Sequence, residues 1–131
     1  MEKSELGQFK AYIRSLLNYM ERNGYTKKPF PKVVVNTEKG ENGIFDYTAY
    51  YDPDKREVMV FTSHRGMKDC LRSIAHEMVH HKQNIEGRLG KDAYSGDKIT
   101  EDERLVKLEE EAYRDGNVSF RSWTETERNK R

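Results

Sequence analysis

Apolar positions recur along the chain in two rhythms, one helical and one extended. Between residues 4 and 22, Leu6, Phe9, Ile13, Leu16, Leu17 and Met20 fall at steps of three and four, which predicts an amphipathic helix; Ser4 is placed to cap its start and Gly24 lies just past its end. Pro29 and Pro31 then force extended chain, and the β-branched run Val33-Val34-Val35, bounded by the Gly/Asn stretch at 40–43, predicts a short strand and a turn. Phe45 to Tyr51 and Glu57 to Phe61 flank Asp52-Pro53-Asp54-Lys55, where Pro53 pre-sets a turn angle, so a β-hairpin is expected. Helical spacing returns from Met67 to about Glu86, at Leu71, Ile74, Ala75, Met78 and Ile85, ending at Gly87. After a polar loop with Gly90 and Gly96, Thr100-Glu101-Asp102-Glu103 has the S/T-x-x-E form of a helix start. A third helix follows through Leu105, Leu108 and Ala112, past Gly116 to Phe120 and Trp123, before a charged tail from Glu125 to Arg131 that is expected to fray.

This order predicts one α+β domain over residues 1–131: an N-terminal helix, a small, mostly antiparallel sheet, a central helix and a C-terminal helix. Composition adds a tension. Leu, Ile, Val and Phe supply 25 of the 131 residues, about 19%, close to the range of disordered chains. Disorder also needs a large net charge, however, and 24 Lys+Arg against 23 Asp+Glu leave only +1. A folded domain with a lean core is the consistent reading. The neutral balance argues against a phosphate-neutralising nucleic-acid binder, and the basic runs Lys27-Lys28, Lys55-Arg56 and Arg128 to Arg131 are scattered among acids. No apolar run is long enough to cross a membrane, the start lacks an apolar signal segment, and the single Cys70 reads as a packing residue; a cytoplasmic setting is expected.

The central helix carries His76-Glu77-Met78-Val79-His80. Residues four apart stack on one helix face, so both imidazoles can hold one ion, while Glu77 between them can take a proton from a metal-bound water. Four His and 15 Glu in random order would give this pattern only about 0.01 times per chain. On a helical wheel with Leu71 at zero, Ile74, Ala75, Met78 and Ile85 fall within about 60°, and His76 and His80 near 140° and 180°. The histidines share a face with each other and not with the core stripe. His81 reads as a packing or surface residue, and Gln83 either reaches the cleft or lies on polar helix surface.

Two histidines leave a tetrahedral zinc site one protein ligand short, and the remaining histidines, His64 and His81, do not follow on a later helix. A carboxylate is expected. Glu109, Glu110 and Glu111 stand in a row on the third helix; with Leu105 at zero they fall near 40°, 140° and 240°. Glu109 lies inside the stripe of Leu105, Leu108 and Ala112 and is disfavoured for a cleft, while Glu111 has Asp115 at i+4 to orient a ligand histidine. Glu111 is favoured and Glu110 is the alternative.

His76-Glu77-Met78-Val79-His80 followed by Glu111-Ala112-Tyr113-Arg114-Asp115 resembles the gluzincin metallopeptidases, in which H-E-x-x-H is completed by a Glu of a later helix. The segments from Leu71 to His81 and from Glu109 to Asn117 also resemble small phage-encoded peptidase-like proteins, which would place the chain in a host cytoplasm. The resemblance implies a minimal zincin-like fold with one Zn2+ held by His76, His80 and Glu111, Glu77 as catalytic base, and Asp115 orienting a ligand. It also implies a peptide or protein substrate and a Glu77-activated water attacking a peptide carbonyl. Tyr94, Tyr113 and His64 are candidates to stabilise the oxyanion, and a strand within Glu57 to Phe61 is expected to line the cleft for an extended substrate. The alternative is a zinc-bound binding or regulatory domain with little hydrolytic activity.

Overall fold

A computed structural model describes residues 1–38, 48–90 and 101–130. The first apolar stripe forms helix α1 (Leu6–Arg22), which buries Phe9, Ile13, Leu16, Leu17 and Met20. A 3-10 turn precedes it, and reciprocal side-chain to backbone bonds between Glu2 and Glu5 close that turn, so the capping expected of Ser4 is carried by a carboxylate pair instead. Gly24, at φ +81°, ends the helix in a left-handed conformation that costs a glycine little.

The sheet has three strands, β1 (Lys32–Asn36), β2 (Ala49–Asp52) and β3 (Glu57–Phe61), in the order β1-β3-β2. β2 and β3 form the expected antiparallel hairpin, with Tyr51 opposite Val58, but β1 runs parallel to β3, with Val33 opposite Val58. The sheet is therefore mixed, not mostly antiparallel. β1 and β2 are not neighbours because β3 alone buries Val58 and Val60, so it takes the centre and is flanked on both sides. The expected turn at 40–43 and residues 45–47 lie outside the described residues.

Helix α2 (Met67–Ile85) packs on α1, β2, β3 and α3 (Glu101–Asn129), which makes it the centre of the molecule. It buries Cys70, Leu71, Ile74, Ala75, Met78, Val79, His81 and Gln83, and Ser73, His76, Glu77 and His80 stay half-buried on the side that remains open. Cys70 is a packing residue: its thiol lies 3.8 Å from the Phe61 carbonyl, and burial pushes its pKa up. Arg65, just ahead of α2, holds the sheet to the helix. Its guanidinium donates to the carbonyls of Thr48 on the β2 side and Phe61 at the end of β3, at 2.7 and 2.8 Å, and to Ser73 Oγ at 2.6 Å.

The expected fraying of Glu125 to Arg131 does not occur over the described part, since α3 continues to Asn129. Trp123 is buried and donates to Ser15 Oγ at 3.0 Å, and that hydroxyl donates to Glu127, so the last turns are tied to α1. Thr100 lies outside the described residues.

Small residues let α3 lie close on α2. Ala75, Ala112 and Ser119 are fully buried, and a Cβ added to Gly116 would lie 2.9 Å from His76 Cα and 3.1 Å from its backbone nitrogen. Those atoms belong to a buried helix backbone and cannot turn aside. Gly116→Ala should therefore lower the melting temperature by several degrees, overpacking at about 1–3 kcal/mol exceeding the gain in helix propensity of about 1 kcal/mol. Gly7→Ala in α1 has open space around the new methyl and should instead leave stability unchanged or raise it. Thermal melts of both variants check the pair of signs; a stabilised Gly116→Ala protein would contradict the packing.

Candidate metal centre

Gly116 sits two turns after Glu109, about 10.5 Å along the same side of α3, so the close crossing at Gly116 brings Glu109 over the open side of α2. His76 Nε2 lies 2.6 Å from Glu109 Oε1, and His80 Nε2 lies 3.3 Å from Oε2. One ligand atom from each of the three residues falls within 4.8 Å of the others, a grouping able to hold one metal ion. The two imidazole rings stand 5.0 Å apart, and Tyr113 packs edge-on against His76 at 4.6 Å.

The carboxylate that the structure brings to the two histidines is Glu109 and not the expected Glu111. Glu111 turns to the far side of the crossing, where Arg88 grips it with two bonds of 2.8 and 2.9 Å and Gln83 adds a third at 3.2 Å. Asp115 accepts from the neighbouring Arg114 at 3.0 Å instead of orienting a histidine. Glu110 borders a separate surface hollow with Asp102 and Val106. The physical reason is that α2 is buried on almost every side, so its histidines face α3 itself. A ligand for them has to stand at the margin of the α3 packing stripe, the position that a wheel of α3 alone disfavours.

The histidine-orienting group is Gln83, which is fully buried. Its amide nitrogen donates to the Leu108 carbonyl at 2.9 Å and to Glu111, both pure acceptors, so its oxygen must face His80 Nδ1, 2.8 Å away. His80 Nδ1 therefore carries a proton, so that in the neutral form of the ring the lone pair of Nε2 faces the Glu109 carboxylate. Two acceptors facing each other at 3.3 Å repel unless a positive charge lies between them. His76 is biased the same way: burial lowers its pKa, with His80 adding to the effect and Glu109 opposing it, which favours the neutral, ligating imidazole. The donor set of two nitrogens and a carboxylate fits a divalent ion of the borderline type.

Glu77 lies in the same cleft, and burial, reinforced by the charge of Glu109, raises its pKa to about 8. The cleft has a volume of about 610 Å3 and runs from Thr48–Tyr51 across Ser73, His76, Glu77 and His80 to Glu109, Tyr113 and Asn117. Its strand wall is β2, whose outer edge has no strand partner among the described residues; β3, expected to line the cleft, is central and paired on both sides. Of the three oxyanion candidates, Tyr113 lines the cleft. His64 sits in the turn before α2 with φ +59° and is not among the cleft residues, and Tyr94 lies outside the described residues.

His81 packs beneath the site, fully buried. Its Nε2 donates to the Pro29 carbonyl at 2.7 Å, and its Nδ1 accepts from the Tyr51 hydroxyl at 2.8 Å, which itself accepts from Asn84 at 2.9 Å. This chain fixes β2 against α2, and burial lowers the His81 pKa. The motif alone does not point to it, although a third histidine on a helix otherwise buried on that side is its signal. Lys27 and Lys28 pair with Glu86 and Glu21, in keeping with a solvated surface. No described helix is long and apolar enough to cross a membrane. No protein family, curated protein or solved structure matches this chain.

Zinc titration and acid unfolding of the purified protein check these assignments. Glu109→Gln should weaken binding by at least about tenfold and Gln83→Leu by about 10- to 100-fold, whereas Glu111→Gln should retain one equivalent. Arg88 holds the Glu111 carboxyl at about 2, below its ordinary 4.5, so the stability this pair contributes is fully present above the ordinary value and is lost as pH falls from about 4.5 towards 2. Acid unfolding of Arg88→Met should show a shallower slope across that window; an unchanged slope would contradict the assignment.

Proposed function

We propose that this protein is a zinc-dependent peptidase of the gluzincin kind, with His76, His80 and Glu109 as the ligands and Glu77 as the general base. The observation that carries the reading is the convergence of the His76 and His80 Nε2 atoms and the Glu109 carboxylate in a cleft that also holds the Glu77 carboxyl. When bound there, zinc supplies Lewis acidity for a carbonyl group and lowers the pKa of water to about 7.

The chain's own residues supply the rest. Gln83 keeps His80 in the ligating tautomer through its bond to Nδ1. Glu77, in the cleft beside the two histidines, would accept a proton from the attacking water once the charge of a bound divalent ion offsets the burial that raises its pKa, and pass it to the leaving amine. The outer edge of β2, from Ala49 to Asp52, offers backbone donors and acceptors to an extended peptide, which would join the sheet as a further strand. Tyr113, which lines the opposite wall, would offer its hydroxyl to the developing oxyanion.

Glu77→Gln should retain one equivalent of zinc and lose peptide cleavage by about 100-fold or more, measured with unfolded casein as substrate. Equal cleavage by the variant would remove Glu77 from the reaction. Full zinc occupancy with no cleavage by the parent protein would favour a binding or regulatory domain.

A further inference from the structure

Two ridges of side chains border the cleft and continue beyond it. On α2, Lys68, Arg72, His76 and His80 follow one another at steps of four; on α3, Glu109, Tyr113, Asn117 and Arg121 do the same, with Arg128 seven residues further on the same side. The helices run in opposite directions, since Gln83 bonds the Leu108 carbonyl, His76 meets Glu109, and Arg72 lies 5.3 Å over the Phe120 ring. The ridges therefore begin at the metal centre and lead away together, towards the start of α2 and the end of α3.

Between them lies a second groove of about 600 Å3, which shares Arg72 and Asn117 with the metal cleft. Lys68, Arg72, Arg121 and Arg128 line it, with Glu125 the one acidic residue, and all four basic side chains are exposed. None of the four is ion-paired with a carboxylate among the described residues. In a chain of net charge +1, this concentrates unneutralised cations at one end of the cleft. From Asn117 to Arg128 the groove extends about 16 Å, the span of about five residues of extended peptide.

We infer that the groove is a binding site for the acidic part of a peptide, so that chains carrying Asp or Glu a few residues to one side of the cleft are the preferred substrates. The inference rests on the peptidase reading for the word substrate, but the binding of carboxylates stands on the groove itself. A peptide is favoured over nucleic acid because the groove opens into the cleft walled by the β2 edge, and because four cations in a neutral chain make a short site and not a phosphate-tracking surface.

The test separates binding from cleavage. A fluorescent decapeptide with three Asp at one end, and its counterpart with Asn in their place, are titrated into the zinc-loaded Glu77→Gln protein at physiological salt. The acidic peptide should bind about tenfold more tightly, and the advantage should shrink in 0.5 M salt and vanish in Lys68→Gln/Arg121→Gln/Arg128→Gln. Arg121→Lys/Arg128→Lys should keep most of it. Equal binding of the two peptides, or an advantage that survives the triple variant, would overturn the inference, as would tighter binding of a single-stranded oligonucleotide of matched charge. In parallel, cleavage by the parent enzyme without acidic preference sinks the groove alone; acidic preference without cleavage sinks the peptidase reading and upholds the groove.

Discussion

The structure depends on one close approach, the crossing of α3 over α2 where Gly116 meets the backbone of His76. No other residue leaves room there, and the separation it permits decides what the two helices can do together. At a wider spacing the Glu109 carboxylate would not reach both histidines. At this spacing it lies within contact distance of both Nε2 atoms. The crossing also covers α2, so a chain with few large apolar residues still buries its central helix on nearly every side.

Around that crossing the interior is finished with polar groups whose bonds are mutually exclusive in direction. Gln83 cannot turn its amide over without facing two acceptors with a third, and that restriction passes to His80 as a fixed tautomer. His81 is fixed in the opposite sense by Pro29 and Tyr51. His80 and His81 thus carry their protons on different nitrogens, because each has a different buried partner. The lean composition is consistent with this arrangement: cohesion comes partly from bonds of defined direction and, in the proposed holo form, from an ion held between helices.

Much of this was legible in the sequence, and the limits have physical causes. The three helices and the β2–β3 hairpin follow from periodicity and turn chemistry, which are local. The parallel pairing of β1 with β3 is not local, and nothing in Val33-Val34-Val35 states its direction. His76, Glu77 and His80 are set by spacing within one helix. The third carboxylate depends on how two helices cross, and a wheel drawn for α3 alone cannot know that the histidines look towards its packing face. The signal was present, though, in Gly116 and Ala112, small residues that mark the side of close contact and share it with Glu109. The tail reads as charged and loose until Trp123 and Glu127 are seen to reach Ser15 on α1.

The central claim is that His76, His80 and Glu109 hold one divalent ion between α2 and α3. X-ray absorption spectroscopy of the parent protein, loaded with one equivalent of zinc, tests it most directly. The account predicts a shell of nitrogen and oxygen only, at about 2.0–2.2 Å, with the outer-shell signature of two imidazoles. A sulfur ligand, fewer than two imidazoles, or failure to retain the ion would contradict it.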